Sequence, residues 1–450
     1  MKTVDQIITD IQIPEALSLL LGKSSNLLES PCDKETGETP FSEPARTPRR
    51  PLFFDIETTG LRSLSCYIYL IGCLTEAGDG LRFRQWFAEN ADEEPEIIRL
   101  FCEAIEPDTV LVHYNGNTFD IPFLQERIRL HKMPLSVPKK EETLDLFRHL
   151  SRAQKLFELI NRKQPTLEKV VGYDRTDPYD GGTLVAFYSE YVGRCRFDRA
   201  RADELLAALL LHNRDDILGL SQLPALLPYC CFADLPFEDA GQATDEGTVT
   251  FTATLPFALP KPFRKILPLP EIPASCRIHK TEAGGQAPVG SGTDSGQIVS
   301  VSPDADSRQM ASVGTDNEPF APASPDNASD NLYADLLLSG RTVRLRVPVY
   351  EMAPYYFFED YKNYYYLPVE DKAIHKSLAT FVAKEFRKPA TRETARQQKS
   401  GSFLPQVTEQ IGPPFRFRHA DELCFFEQCD LDTQNIRDYI LNWFRFLTAQ

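Results

Sequence analysis

Apolar residues with strand-like and helix-like spacing begin at Leu52 and predict a mixed α/β domain. Residues 67–74 and 81–87 read as two strands that follow the first, and residues 95–105 have helical spacing. A further strand at 109–114 leads into a helix that reaches His131. Three strands followed by a helix, a strand and a helix predict a mixed sheet flanked by helices. More helical patterns follow at residues 146–161, 166–171, 184–192 and 203–223, before Pro224 and Pro228.

Composition divides the chain into five segments. Residues 1–50 predict an N-terminal leader and flexible linker, so we expect the ordered core to start at Leu52. Residues 51–228 form the α/β domain, and residues 229–280 a connecting segment with a β element. Residues 281–331 are rich in Gly, Ser, Asp, Ala and Pro and predict a disordered insert. Residues 332–450 predict a smaller α+β domain whose role the sequence does not reveal.

Local patterns give this last domain some detail. Alternating residues predict a hairpin around Ser339 and Gly340, and helical spacing predicts helices near residues 373–386 and 433–447. The segment YYFFEDYKNYYYLPVED is dense in aromatic residues. Such density indicates either a packed β element or a surface on which nucleic-acid bases stack, and core packing is the commoner of the two.

The net charge is −16, from 65 acidic and 49 basic side chains in 450 residues. The molecule as a whole therefore repels a polyanion, and any contact with nucleic acid must be local. Two basic clusters qualify, at residues 194–201 and at Arg148, Arg152, Lys155, Arg162, Lys163 and Lys169. The alternative for each cluster is a solvated helix face.

Nothing in the sequence predicts secretion or a membrane span. The first residues lack the basic start and long apolar core of a signal peptide, and no apolar run reaches transmembrane length. None of the ten cysteines forms a CxxC pair, and several lie among apolar neighbours. We therefore expect reduced thiols and a cytoplasmic location.

Candidate chemistry begins with FFDIETTGL, where Asp55 and Glu57 end an apolar run. Side chains alternate along a strand, so both carboxylates point to the same face. Two adjacent carboxylates repel each other and are costly to desolvate, so such a pair favours a bound cation. The alternative is two solvated residues at the end of a strand.

Two later segments add further acids. Asp120 opens a helix after the strand at 109–114, where a simple helix cap is the alternative. In LLLHNRDDILGL, His212 and Asp216 are four residues apart and share one helix face, while Asp215 is turned about 100° away. A local hydrogen bond would explain this pair alone. The whole set, however, favours one shared acidic site.

The ordered motifs FFDIETTGL, YNGNTFDIPFL, LDLFRHLSR, TLEKVVGYDRTDPYDGG and HNRDDILGL resemble the DEDD superfamily of exonucleases on the ribonuclease H fold, and within it the YprB-type family. The resemblance spans about residues 51–223. It implies that the four acids are Asp55, Glu57, Asp120 and Asp216. In the tyrosine subgroup a tyrosine stands four residues before the last acid, and in the histidine subgroup a histidine stands five residues before it. His212 stands four residues before Asp216, so it departs from both patterns. Its role as general base or as a residue that positions water stays open.

The resemblance also implies a chemistry. Two Mg²⁺ or Mn²⁺ ions would bridge the scissile phosphate, with Asp55 on both ions, Glu57 and Asp216 on the first and Asp120 on the second. His212 would orient or deprotonate the water. Thr58, Leu61 and Asn115 would contact or face the terminal nucleotide, and the cluster with Arg148 and Arg152 would follow the strand. Asp145 is expected near the site without binding metal.

We therefore expect a metal-dependent nuclease, a 3′–5′ exonuclease acting on a single-stranded end of DNA or RNA. The alternatives are a non-catalytic nucleic-acid-binding or scaffold protein that keeps the fold, and a structure-selective endonuclease.

Overall fold

In this computed structural model of the protein, residues 1–21, 49–245, 247–278, 332–432 and 435–449 are described. The predicted disordered insert at residues 281–331 and most of the predicted linker before Leu52 lie outside these residues. The first part of the chain builds a six-stranded sheet. Its strands are β1 (Lys2–Ile8), β2 (Arg50–Thr58), β3 (Ile68–Ala77), β4 (Gly80–Phe87), β5 (Thr109–His113) and β6 (Leu144–Asp145).

This sheet is mixed, with the strand order β1-β4-β3-β2-β5-β6. Strand β2 pairs antiparallel with β3 and parallel with β5, and β5 pairs parallel with β6. The carboxyl ends of β2, β5 and β6 therefore meet at one edge of the sheet. The predicted mixed sheet flanked by helices is confirmed.

Nine helices accompany the sheet within the described residues up to 245. They are α1 (Ser18–Leu21), α2 (Glu94–Glu103), α3 (Asp120–Leu130), α4 (Leu146–His149), α5 (Ala153–Leu156), α6 (Gln164–Val171), α7 (Gly181–Arg194), α8 (Arg199–Gln222) and α9 (Leu227–Cys230). Helices α2 and α3 contribute to one core and α8 packs across β2 and β3. The predicted helix at 146–161 is therefore two short helices, α4 and α5, rather than one.

Alternation along β2 decides which face carries the acids. Leu52, Phe54 and Ile56 are buried in the core that α2 and α3 share. Phe53 belongs instead to the core that contains Ile217 of α8. Because side chains alternate, Asp55 and Glu57 share the face of Phe53 and lie under α8. The local pattern of β2 thus directs both carboxylates toward one helix.

The expectation that the ordered core starts at Leu52 is wrong. Residues Lys2–Ile8 form β1, which pairs antiparallel with β4 and extends the same sheet. The strand was not recognised because most of its side chains are exposed or half-buried, so it lacks an apolar run. An edge strand needs backbone partners more than buried side chains.

The rest of the chain is mainly antiparallel. A five-stranded sheet has the order β7-β8-β11-β10-β9, with β7 (Glu238–Asp245), β8 (Thr248–Thr254), β9 (Phe263–Pro268), β10 (Tyr333–Ser339) and β11 (Thr342–Pro348). Strands β10 and β11 form the predicted hairpin. Since β8 and β9 pair with β11 and β10, residues 229–280 are not merely a connecting segment. They share one sheet with the chain after Leu332.

Two further sheets and a last helix follow. A six-stranded sheet has the order β12-β18-β20-β19-β13-β17 and a three-stranded sheet the order β15-β14-β16. Their strands are β12 (Tyr350–Met352), β13 (Tyr355–Phe357), β14 (Tyr364–Leu367), β15 (Lys372–His375), β16 (Lys388–Pro389), β17 (Arg396–Gln398), β18 (Gly401–Gln406), β19 (Phe415–Arg416) and β20 (Cys424–Glu427). Helix α10 (Ile436–Ala449) matches the predicted closing helix.

The predicted helix at residues 373–386 is wrong. The segment instead contains β15 and two short 3-10 helices, Ala379–Phe381 and Lys384–Phe386. Strand pairing of β15 with β14 overrides the helical spacing of its apolar residues.

Two general expectations can be compared with the described residues. None of their helices combines the length and apolar character that crossing a membrane requires. Nine cysteines fall within them and all are free thiols.

Candidate active site

Strand β2 and helix α8 hold the first part of the site. Asn213 of α8 is fully buried and donates its Nδ2 hydrogen to Asp55 Oδ2, at 3.0 Å. Its Oδ1 accepts a hydrogen bond of 2.9 Å from Gln85 of β4, which fixes the orientation of the amide. Helix α8 approaches closely because Gly72 of β3, opposite Asp55, has no side chain. A Cβ there would lie 2.1 Å from Asn213 Oδ1.

His212 and Asp216 lie one helical turn apart and face the end of β2. The Nε2 atom of His212 is 3.1 Å from Asp216 Oδ2 and 3.7 Å from Glu57 Oε1. One donor atom from each of Glu57, His212 and Asp216 can be chosen so that all three lie within 4.8 Å of one another. The predicted pair on α8 therefore meets an acid of β2, as an ion-binding site requires.

Asp120 is the first residue of α3, directly beyond the carboxyl end of β5, and is buried. Its charge and that of Asp216 both act on Asp55 and on Glu57. The structure therefore brings Asp55, Glu57, Asp120, Asp216 and His212 together at one edge of the sheet.

Burial and mutual repulsion set the protonation of three acids. Burial first, and then the charges of Asp216, Glu57 and Asp120, raise the pKa of Asp55 well above its ordinary value. Burial and the charge of Asp216 raise the pKa of Glu57 to about 8. Burial raises the pKa of Asp120 to about 7, although hydrogen bonds with the backbone act to lower it. A cation among them would relieve this cost.

Two bases neutralise the fourth acid. Burial alone would raise the pKa of Asp216, but hydrogen bonds and charge from His212 and Arg175 outweigh it and lower that pKa. Burial would likewise lower the pKa of His212, yet Asp216, Glu57 and Asp177 raise it to about 9. The metal-free site thus holds a carboxylate at Asp216 beside a protonated His212.

Asp177 was not predicted and holds the other side of His212. Its buried carboxylate hydrogen-bonds with Nδ1 of His212, which leaves Nε2 directed at the acids. Asp215, which we expected to face away from the site, fixes the loop that carries Asp177. It accepts hydrogen bonds from the backbone amides of Thr176 and Asp177, at 2.7 and 2.8 Å, and from two hydroxyls.

Arg175 was also not predicted. Its Nη2 atom is 2.6 Å from Asp216 Oδ1, and its guanidinium hydrogen-bonds with both oxygens of the buried Glu168 of α6. Gln164 of the same helix donates to the backbone oxygen of Asp216, at 2.7 Å. Arg175, Asp177 and Glu168 all lie in or next to the motif TLEKVVGYDRTDPYDGG, whose polar residues could have been flagged as a group. Their individual partners follow only from the tertiary fold.

Two of the predicted substrate residues lie at the end of β2 and in the loop that follows it. The hydroxyl of Thr58 donates to the backbone oxygen of Gly60, at 2.9 Å, and Thr58 is buried. Leu61 is 85% exposed. The loop is held by the fully buried Glu94, which accepts from the amide of Ile68 and from Arg127, while Arg127 also donates to Ser63 O.

Asn115 occupies the turn after β5 with a positive φ of 62°, and its backbone N–H donates to Asp145 Oδ1. Asp145 is buried and caps α4 through a hydrogen bond from the backbone amide of Phe147. A cavity of about 560 Å³ opens beside Asn115. Its lining includes Ile160, Asn161, Arg162, Lys163 and Gln164.

Most of the basic residues in the two predicted clusters are exposed. Arg148 and Arg152 are exposed on α4 and before α5, and neither lines the cavity. In the cluster at 194–201, Arg194 and Arg201 both pair with Glu190, and Arg199 pairs with Asp203. This second cluster is therefore a surface of local ion pairs rather than a free basic patch.

Comparisons with known proteins include one family model that matches part of the chain. The model of the RNase_H superfamily matches residues 52–227. No curated protein matches the chain. One similar solved structure is the family B DNA polymerase from the archaeon Pyrobaculum calidifontis, with 23% sequence identity and a TM-score of 0.30. The alignment covers 42% of this chain and 26% of the polymerase.

A second similar solved structure is exonuclease I of E. coli in complex with a dT13 oligonucleotide, with 12% sequence identity and a TM-score of 0.23. That alignment covers 48% of this chain and 54% of the exonuclease. The chain thus spans about a quarter of the polymerase and about half of the exonuclease. By the family match, residues 52–227 form a ribonuclease H-like domain.

Proposed function

We propose that the ribonuclease H-like domain is a divalent-metal-dependent nuclease, a 3′–5′ exonuclease that hydrolyses single-stranded DNA or RNA. One observation carries the proposal. Four carboxylates and a histidine from β2, α3 and α8 share one site, where burial and repulsion raise the pKa of three of the acids. Such a concentration of charge is costly unless cations occupy it. The 3′–5′ polarity rests on the resemblance of the motifs alone.

The donor set fits two Mg²⁺ or Mn²⁺ ions. Asp55, Glu57, Asp120 and Asp216 offer carboxylate oxygens, which are the hard ligands these ions prefer. We propose that Asp55, Glu57, Asp120 and Asp216 would hold these ions. When bound, the ions would activate water and stabilise the charge on the leaving oxygen.

His212 is the candidate for handling the attacking water. Asp177 holds its Nδ1 atom, so Nε2 is the atom directed at Glu57 and Asp216. Water adds to phosphorus, the bond to the 3′ oxygen breaks, and a nucleoside monophosphate leaves. Nε2 would orient the water or accept its proton.

The surroundings of the acids suggest how a strand approaches. The cavity beside Asn115 contains Arg162 and Lys163, which can hold phosphates, and Ile160, which is 90% exposed. Leu61, in the loop after β2, is also exposed. We propose that the terminal nucleotide lies between these two features, with Thr58 shaping the loop. Arg148 and Arg152 would contact phosphates farther along the strand.

The test compares the wild type with Asp55→Ala on single-stranded DNA and RNA labelled at the 5′ end, with Mn²⁺ or with chelator. We expect the wild type alone to shorten the labelled strand stepwise, and only with metal. Asp108→Ala, which removes an exposed acid paired with Arg50, is the control and should keep activity. Equal traces from the wild type and Asp55→Ala would overturn the proposal. Cleavage of circular strands would indicate an endonuclease instead.

A further inference from the structure

The segment around β14, β15 and β16 has an excess of positive charge, although the chain as a whole is acidic. Residues 361–400 contain nine Lys and Arg against four Asp and Glu, in a chain of net charge −16. Asp371 is already paired with Arg396. Lys372, Lys376 and Lys384 are exposed, and no ion pair to another described residue engages them. An unneutralised basic surface on an acidic protein favours an anionic partner.

Aromatic rings lie among these cations. In β14, Tyr364 stacks on Phe358, which directly follows β13, and Tyr366 donates to Asp371, which also accepts from Arg396 of β17. Tyr365 alternates with them and therefore lies on the opposite face. Its ring has the Nζ atom of Lys376 at 5.5 Å and the guanidinium carbon of Arg387 at 4.8 Å. The face thus pairs an aromatic ring with two cations.

The loop that follows β15 carries two exposed rings. Arg387 hydrogen-bonds with the backbone oxygen of Ala379 in this loop and also lies over the ring of Tyr365, so it links the loop to β14. Phe381 is 92% exposed and Phe386 is 58% exposed. Exposing large aromatic side chains to water is unfavourable, so two of them in one short loop point to a partner.

We propose that Tyr365, Lys372, Lys376, Phe381, Phe386 and Arg387, the aromatic–basic surface, bind single-stranded nucleic acid. Aromatic rings can stack on bases of any sequence while Lys and Arg contact the phosphates between them. A bilayer fits less well, because Lys384 and Glu385 separate Phe381 from Phe386 and interrupt the apolar area. Since a −16 chain repels a polyanion, this surface holds the strand while the nuclease site acts on its end. The choice of nucleic acid as partner rests on the proposed function.

The experiment measures binding of a fluorescent oligothymidylate to the full chain by anisotropy, with chelator so that no cleavage occurs. We expect Phe381→Ala combined with Phe386→Ala to weaken binding at least about fivefold. Phe197→Ala removes a ring that is 78% exposed between α7 and α8, and should bind like the wild type. Lys372→Glu combined with Lys376→Glu should also lower the dependence of the dissociation constant on salt. The exposed Lys261→Glu is the charge control.

The outcomes separate this inference from the proposed function. Unchanged oligonucleotide binding by both double variants overturns the inference, even if the wild type cleaves. Weakened binding by the variants supports it, even if the wild type and Asp55→Ala are equally inactive. If the variants lose binding to vesicles containing an anionic lipid but keep binding to the oligonucleotide, the surface binds membranes and the inference is wrong.

Discussion

Arg175 contacts two carboxylates, one at the proposed site and one buried behind it. Its Nη2 atom lies 2.6 Å from Asp216 Oδ1, and its guanidinium hydrogen-bonds with the buried Glu168. One cation therefore compensates a structural acid and a proposed metal ligand together. A Cβ at Gly219 would lie 2.0 Å from Glu168 Oε1, so α8 approaches Glu168 closely enough to keep water from it. The pairing is consequently part of the core and of the site.

Replacing Arg175 by Met should destabilise the metal-free protein by about 3–5 kcal/mol, because Glu168 is left buried without a counter-charge. Urea unfolding measures the change. The double variant Glu168→Gln and Arg175→Met should recover part of the loss, since Glu168 then carries no charge, whereas Asp216 keeps His212 as its remaining counter-charge. Arg129→Met breaks the exposed pair with Glu126 and should cost less than about 1 kcal/mol. Equal losses from Arg175→Met and Arg129→Met would contradict the role of burial.

Neutralising Asp55 should stabilise the protein when no metal is present. The Asp55→Asn variant removes one of several charges that repel each other in a buried site, and its Oδ1 can still accept from Asn213. We expect a gain of about 1 kcal/mol or more at pH 8. The same variant should lose the rise in melting temperature that Mg²⁺ or Mn²⁺ gives the wild type. A lower stability with chelator would refute the expected repulsion.

Stability of the metal-free protein should fall as pH rises from about 5 to 9. The pKa of Glu57, about 8, and that of Asp120, about 7, exceed the values near 4 of unfolded acids, and the pKa of His212, about 9, exceeds 6.5. In this range the folded state binds more protons than the unfolded state, so deprotonation favours unfolding. Urea unfolding at several pH values with chelator tests the slope. Glu57→Gln should flatten it, and saturating Mg²⁺ should abolish it.

The Asp177→Asn substitution should lower kcat about tenfold or more while metal affinity changes little. The carboxylate holds Nδ1 of His212, whereas the neutral amide of Asn carries no negative charge to stabilise the positive ring. The pH profile of kcat should also shift toward lower pH, because the pKa of His212 falls. Asp180→Asn, at the exposed cap of α7, is the matched control and should behave like the wild type. Equal kinetics for both variants would exclude a positioning role for Asp177.

Substituting Gly72 by Ala should destabilise the protein by about 1–3 kcal/mol and weaken metal binding. Its Cβ would overlap Asn213 and Ile217, and so would push α8 away from Asp55. The control is Gly193→Ala in α7, where a Cβ meets open space and the helix gains about 0.5–1 kcal/mol. Thermal unfolding and calorimetric metal titration measure both effects. A neutral Gly72→Ala would mean that β3 and α8 can separate without cost.

The sequence predicted those parts of the site that depend on local spacing. Alternation on β2 and the four-residue spacing on α8 were enough to bring Asp55, Glu57, His212 and Asp216 into one hypothesis, and the motif after β5 added Asp120. Asn213 was missed because an amide carries no charge to mark it. Asp177 and Arg175 were missed because their roles depend on where a loop returns to α8, which spacing cannot predict.

The errors in the fold have related causes. Strand β1 is short of buried residues, so its pairing with β4 leaves little trace in the apolar pattern. The segment with Ala373 and Ile374 has helical spacing, but cross-strand pairing with β14 decides its structure. The sheet formed by β7 to β11 joins strands from both sides of a long polar stretch, and no local pattern could reveal that pairing.

That joint sheet has a practical consequence. Strands β8 and β9 precede the interval from Ile278 to Leu332, and they pair with β11 and β10, which follow it. These backbone hydrogen bonds hold the strands in register, so we expect the pairing not to need an intact chain through the interval. Two polypeptides, one ending after Ile278 and the other starting at Leu332, should therefore reassemble when they are co-expressed. This interval is therefore a natural position at which to split the chain.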